Sequence, residues 1–194
     1  MKNQKTLALI ESALMIAIAM VLNEFVKIGK IWALGGGITL CSMLPLVFIS
    51  YRHGVKQGLF TAFVFSLLQL VLGMKNVHYG QNFVQMAGIA LLDYIIAYSV
   101  IGFAGIYKGM FGKGKELIEI MLGILVSMLL RFLCHYLSGF FIWEALWPNE
   151  HHYTSHAWSF IYNASYMGPE TLLTMLVAFL SFIPLKKIWL NERI

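Results

Sequence analysis

Long apolar runs separated by short polar clusters make up most of the chain. A run of about 20 apolar residues is long enough to cross a bilayer core as a helix. Five such runs stand out, at residues 7–26, 55–74, 83–106, 117–142 and 158–185. A sixth stretch, residues 38–51, is apolar but short and holds Pro45. It reads as a short, kinked or tilted helix packed against protein, where backbone hydrogen bonds are satisfied internally. No alternation of period two recurs at the spacing of a transmembrane barrel. The pattern predicts an all-α integral membrane bundle of six helices, a single transmembrane domain over residues 1–194, with no internal repeat and no linker.

The basic residues give this bundle a direction. Six crossings put both termini and the second and fourth loops on one side, which holds Lys2, Lys5, Arg52, Lys56, Lys108, Lys113, Lys115, Lys186, Lys187 and Arg193. The other side holds Lys27, Lys30 and Lys75, while Arg131 lies within a span. Ten against three places both termini in the cytoplasm. The net charge of +5 therefore follows membrane topology; the cations form no stripe for nucleic acid. Composition agrees: 59% of the chain is hydrophobic and 12% charged, where soluble domains carry about 25% charged residues. Such a chain of 194 residues cannot bury its apolar surface in one water-soluble core. Disordered, collagen-like and disulfide-scaffold classes are excluded as well. Cys41 and Cys134 fall in apolar segments and read as buried thiols. The first twenty residues resemble a signal peptide, with Lys2, Lys5 and Ala17-Ile18-Ala19, but Glu11 interrupts the run and apolarity continues to Leu22. A retained first helix is expected.

An ionisable side chain at the bilayer centre costs roughly 2.5–3.5 kcal/mol on insertion scales, so each one is a candidate functional residue. Asp93 in the fourth span and Arg131 and His135 in the fifth stand out. At about 1.5 Å per helical residue, Asp93 lies roughly 14 Å from the outer end of its helix, His135 about 10 Å and Arg131 about 17 Å from theirs. Ser127, Arg131, His135 and Ser138 share one face of the fifth helix, at spacings of 4, 4 and 3. Trp143, at the exit of that helix, and Trp158 and Asn163, at the start of the sixth, add to a polar and aromatic cluster that opens outward. Two plainer readings stand beside this one: an Asp93–Arg131 ion pair that merely locks two helices, and tryptophans that belong to an interfacial belt. An apolar cavity with aromatic walls and one carboxylate suits a flat, cationic or amine-bearing heterocycle, because aromatic faces attract desolvated cations by up to about 2 kcal/mol.

Other motifs carry less. Gly109 to Glu116 nearly has P-loop spacing, but Glu116 takes the Ser/Thr position and no strand precedes it, so a cytoplasmic turn is expected and no ATP site. His151, His152 and His156 read as solvated loop residues, with no metal site. Asn163-Ala164-Ser165 has the form of a glycosylation acceptor but lies within a span. Ala13 and Ala17 make a small-residue groove on the first helix, open to close helix packing.

Three stretches together resemble a known family. They are Leu92-Asp93-Tyr94-Ile95-Ile96-Ala97; Arg131-Phe132-Leu133-Cys134-His135-Tyr136-Leu137-Ser138-Gly139 with Trp143; and Trp158-Ser159-Phe160-Ile161-Tyr162-Asn163-Ala164. In order, they resemble the thiamine-specific S components (the ThiT or YuaJ family) of bacterial energy-coupling factor (ECF) vitamin transporters. Ser50 to Gly58 is similar to that family's loop between the second and third helices. The resemblance implies a six-helix S-component fold in the bacterial plasma membrane that captures thiamine from outside. It implies that Asp93, followed by Tyr94, binds the aminopyrimidine, that His135, Trp143 and Asn163 complete the site, and that Arg131 lies near the hydroxyethyl or phosphate end. Trp158 stands where members often have tyrosine, so it stacks without a phenol; some members have glutamate where this chain has Asp93. Trp32 and Tyr79, in the first and third loops, are further expected contacts. Ala13 and Ala17 match the motif that docks on a membrane T component, which with two ATP-binding subunits powers release inside. The resemblance implies transport and not catalysis, with no cofactor besides the carried thiamine. Two alternatives remain at this point: an S component for another heterocycle such as riboflavin, and a small membrane enzyme using Asp93 and His135 as an acid–base pair.

Overall fold

A computed structural model describes residues 2–28, 37–150 and 152–192. Trp32, Lys30, His151 and Arg193 lie outside the described residues. Helix α1 runs over Lys2–Phe25, and two short strands, β1 (Lys27–Ile28) and β2 (Ile38–Thr39), pair antiparallel after it. Helices α2 (Leu44–His53) and α3 (Val55–Leu72) follow, then a one-turn helix over Met74–Val77. The chain continues through α4 (Phe83–Gly105), α5 (Glu116–Leu146) and α6 (Ser155–Trp189). Among the described residues α1, α3, α4, α5 and α6 are long and apolar enough to cross a membrane.

Helix α2 corrects the expected second span. It starts at Leu44, after β2 and a turn in which Cys41 takes a φ of 55°. Ten residues reach about 15 Å, roughly half of a hydrocarbon core. Pro45 sits in the first turn, where a missing N–H costs no helical bond, and so it starts the helix without kinking it. Pro45, Leu46, Val47, Ile49, Ser50 and Tyr51 are all buried, because α1, α3, α4, α5 and α6 all contact this element. A helix apolar on every side is stable only in such a wrapping. Gly54, at φ 91°, makes the sharp passage into α3.

Helix α5 is longer than expected and carries Trp143 within it, where the sequence pattern had it at the exit. Helix α6 also outruns its expected span, capped at the start by Thr154, whose hydroxyl accepts the Ala157 N–H, and leaving helical geometry at Leu185, just after Pro184. α5 packs on α4 through Gly123, where a Cβ would overlap the Ala104 carbonyl, so only glycine allows the approach.

Polar clasps close the end of the bundle that carries the chain terminus. Glu11 accepts hydrogen bonds from Arg52 Nε (2.7 Å) and Nη2 (3.0 Å) and lies 2.6 Å from His53 Nε2, while Arg52 also donates to the Ile188 carbonyl. Buried Glu119 accepts from Tyr51 Oη (2.8 Å) and from the Gly109 and Phe111 N–H groups (2.9 and 3.0 Å). This fixes the glycine-rich run as a turn, with Gly109, Gly112 and Gly114 at positive φ. On α1 the buried side chains include Ala8, Ser12, Ala19 and Asn23, whereas Ala13 and Ala17 are exposed beside Leu14 and Ile18. The small-residue pair is therefore not used in packing within the described bundle.

Candidate functional site

Two of the three helices that carry the candidate residues, α4 and α5, leave α geometry at the site. α4 is π-helical over Ala90–Ile95, which holds Asp93 and Tyr94, and α5 is π-helical over Gly139–Trp143. A π turn bonds i to i+5 and so accommodates one residue more than an α turn. In a regular α-helix Ser138 and Trp143, five positions apart, would point about 140° away from each other. Here they meet on one carboxylate oxygen. Asp93 Oδ2 accepts from Ser138 Oγ (2.8 Å) and Trp143 Nε1 (2.7 Å), and Oδ1 lies 3.1 Å from His135 Nδ1. A carboxylate only accepts, so His135 presents Nδ1–H to it; in a neutral imidazole this leaves Nε2 as the acceptor. Three donors from one helix hold the Asp93 side chain, which is 13% exposed.

The ion pair between Asp93 and Arg131 does not form. Arg131 Nη1 instead donates to Glu170 Oε2 on α6 (3.1 Å), and both side chains are at least 95% buried. Glu170 Oε1 accepts from Thr39 Oγ1 (2.5 Å) and Ser42 Oγ (3.3 Å), so the pair also anchors the end of β2 and the turn after it. Arg131 lies over the Tyr98 ring, 4.9 Å from its centroid. Asn163 ties α6 to α5: Nδ2 donates to the His135 carbonyl (3.3 Å) and Ser159 carbonyl (2.8 Å), and Oδ1 accepts from Tyr166 Oη (2.7 Å). Tyr94 Oη accepts from Asn76 Nδ2 (2.8 Å) and donates to the Gly73 carbonyl (3.3 Å). Ser127, on the expected polar face, bonds only its own helix, at the Ile124 carbonyl.

One cavity of about 910 Å³ brings Asp93, Tyr94, Arg131, His135, Trp143, Trp158, Asn163 and Tyr79 together. Tyr79 packs edge-on against Trp143 and Trp147, and those two indoles stack with centroids 5.6 Å apart. Across the cavity Trp158 lies nearly parallel to Tyr153 and is followed by Tyr162. The rim is the exposed part, with Tyr79 at 41% and Trp147 at 37%; Arg131 and Glu170 form the buried floor. Among the described residues, the buried side-chain polar atoms with no hydrogen-bond partner are His135 Nε2, Arg131 Nε and Glu144 Oε2. All three belong to residues of this cavity wall. Buried polar groups are nearly always paired, so their convergence marks a place built to receive polar groups of another molecule. No group of three or more metal-ligating side chains occurs among the described residues.

Sequence reasoning did not single out Glu170, Glu144, Glu24, Gln69 or Trp147, all in the cavity wall. Glu170 carried a usable signal, a carboxylate inside an apolar run. Gln69 and Asn23 did not, since their hydrogen bond (3.0 Å) joins residues 46 positions apart.

The sequence model of the family described as "Thiamine transporter protein" (Thia_YuaJ) matches residues 9–190. The chain belongs to this family. It is 29% identical to the thiamine transporter ThiT of Bacillus subtilis (strain 168), over 99% of this chain and 98% of that protein. It is 24% identical to the thiamine transporter ThiT of Lacticaseibacillus paracasei, over 91% of this chain and 87% of that protein. A solved structure of ThiT from Listeria monocytogenes superposes with a TM-score of 0.77 at 22% identity, covering 96% of this chain and 99% of that one, which establishes the shared fold. Membership in the Thia_YuaJ family, with several membrane-crossing helices, makes this a multi-pass protein of the bacterial plasma membrane. It is a transport protein and not an enzyme, so the acid–base reading of Asp93 and His135 falls away and the riboflavin alternative is not favoured.

Proposed function

We propose that the chain is the thiamine-binding S component of an importer, taking thiamine into the cavity between α4, α5 and α6. The observation that carries this reading is the Asp93 carboxylate, held by His135, Ser138 and Trp143 inside aromatic walls. Thiamine joins an aminopyrimidine, rich in N–H and ring nitrogen, to a thiazolium that is permanently cationic. Asp93 accepts the aminopyrimidine N–H, and His135 Nε2, buried without a partner, offers a second acceptor. Trp143, Trp158 and Tyr79 stack on the flat rings, and cation–π attraction favours the thiazolium by up to about 2 kcal/mol once water is excluded. Asn163 fixes the wall between α5 and α6, and Arg131 and Tyr94 bound the inner part of the cavity. Membership in a thiamine transporter family supports the choice of ligand.

The chain has no ATP-binding motif, so inward release draws on other subunits. We assign these as a membrane T component with two ATP-binding subunits, docked through the exposed Ala13 and Ala17 face of α1. Small residues on an outward face let a partner helix approach closely. The termini face the cytoplasm, as the distribution of basic residues implies. Titration of the detergent-solubilised protein with thiamine, followed by tryptophan fluorescence, tests the binding step. Stacking on Trp143 and Trp158 quenches emission in a saturable way; unchanged emission at saturating thiamine refutes the reading.

A further inference from the structure

Glu144 lies in the cavity wall beside Trp143, in the last turn of α5, and has no part in the binding scheme above. A carboxylate at that end of a helix faces the negative pole of the helix dipole and is disfavoured unless a cation is near. None of the ion pairs among the described residues reaches it: Arg131 pairs with Glu170, His135 with Asp93, Arg52 and His53 with Glu11, and Lys186 with Glu116. Its two oxygens differ. Oε1 accepts from Asn149 Nδ2 (2.7 Å) and from the Asn149 backbone N–H (3.2 Å), whereas Oε2 is buried with no hydrogen-bond partner. Asn149 is itself fixed, since Nδ2 also donates to the Tyr153 carbonyl (3.0 Å) and Oδ1 accepts the Tyr153 N–H (3.1 Å). The loop after α5 thus holds the carboxylate by one oxygen and leaves the other unengaged. Trp147, three positions on, stacks on Trp143 with centroids 5.6 Å apart, and Tyr79 packs edge-on against both. An anion without a counterion beside an aromatic stack suits a desolvated organic cation, drawn by the ring faces and by the charge together. The thiazolium fits that description, with a fixed positive charge and no ring N–H to donate. Charge acts without a hydrogen bond, so the carboxylate serves from within the wall. Asp93 already accepts from three side chains and remains the partner of the aminopyrimidine.

We propose that Glu144 is the counter-anion of the thiazolium, a second charged binding residue beside Asp93; this inference rests on the thiamine reading above. The test replaces Glu144 by glutamine, whose Oε1 can keep both bonds from Asn149 while the charge is lost. Dissociation constants are measured by calorimetry in detergent for thiamine and for its neutral analogue with a thiophene in place of the thiazolium. In Glu144→Gln the Kd for thiamine is expected to rise by about tenfold or more, a change of about 1.4 kcal/mol or more. The Kd for the neutral analogue stays within about threefold of its wild-type value. Thermal unfolding of the ligand-free protein adds a readout that a structural role would move the other way. A carboxylate that merely braced the loop would lower the unfolding temperature on becoming an amide. One left without a counterion until the ligand arrives leaves that temperature equal or higher. An equal loss for both ligands, no loss for thiamine, or a variant that fails to fold overturns this inference and leaves the thiamine reading intact. A wild type that binds neither compound overturns both.

Discussion

Replacing Asp93 by asparagine tests the centre of the site with almost no change in shape. In the protein Asp93 accepts from Ser138 and Trp143 on one oxygen and meets His135 Nδ1 on the other. The asparagine oxygen can keep the first two donors, but its NH2 then faces His135. The imidazole must move its proton to Nε2, a buried atom without a partner in the wall. Hydrogen bonds to a charged group are worth about 1.5–3 kcal/mol against about 0.5–1.5 for neutral ones, so the fold loses about 1–2 kcal/mol. The ligand loses more: the amide provides no anion for the aminopyrimidine or the thiazolium, and His135 Nε2 turns from acceptor to donor. A loss of about 3 kcal/mol corresponds to more than about 100-fold in Kd. The assay is a fluorescence titration with thiamine, run beside thermal unfolding in the same detergent to confirm that the variant is folded. If a folded Asp93→Asn protein binds thiamine within threefold of wild type, the carboxylate is not the anchor and the argument fails.

Trp143→Phe keeps a ring in the wall but removes the Nε1–H that Asp93 accepts, so thiamine affinity measured by calorimetry falls by about tenfold or more. An unchanged Kd means the indole acts only as a surface. Gly123→Ala drives a methyl group into the Ala104 carbonyl and costs about 1–3 kcal/mol of stability, read as a lower unfolding temperature. Equal stability would show that α4 and α5 yield at that contact. Glu11→Gln weakens the bonds from Arg52 and His53, lowering stability by about 1–2 kcal/mol while leaving thiamine affinity unchanged. A fall in affinity on that substitution would mean that the far end of the bundle is coupled to the cavity.

Hydropathy located the five long helices because crossing a bilayer demands a continuous apolar run, which a single sequence displays directly. It read residues 38–51 as a short helix packed against protein, which α2 is, but began it too early, because the apolar residues of β2 continue the same run and hydropathy does not separate the strand from the helix that starts at Leu44. In the site, Asp93 and His135 were visible as ionisable groups at matching depth, and they do meet. The partner of Arg131 was not recovered, since depth along two helices does not say which of several neighbours each one faces. Glu170, on α6, won because Thr39 and Ser42 satisfy its second oxygen, giving a buried carboxylate a full set of partners. Trp143 was chosen for its ring, while its hydrogen bond to Asp93 depends on a departure from α geometry that no periodicity of 3.6 reveals.

The wide turns at Ala90–Ile95 and Gly139–Trp143 also bear on how such a protein can change. Rewinding either one as a regular α-helix at its present length would rotate what lies beyond it by about 100° around the helix axis, the share of the one extra residue. That shift would part the tryptophan from the aspartate at a stroke, with no graded intermediate. Substitutions can therefore retune what the chamber holds, while the wide winding of those two stretches is locked by the chemistry they bring face to face.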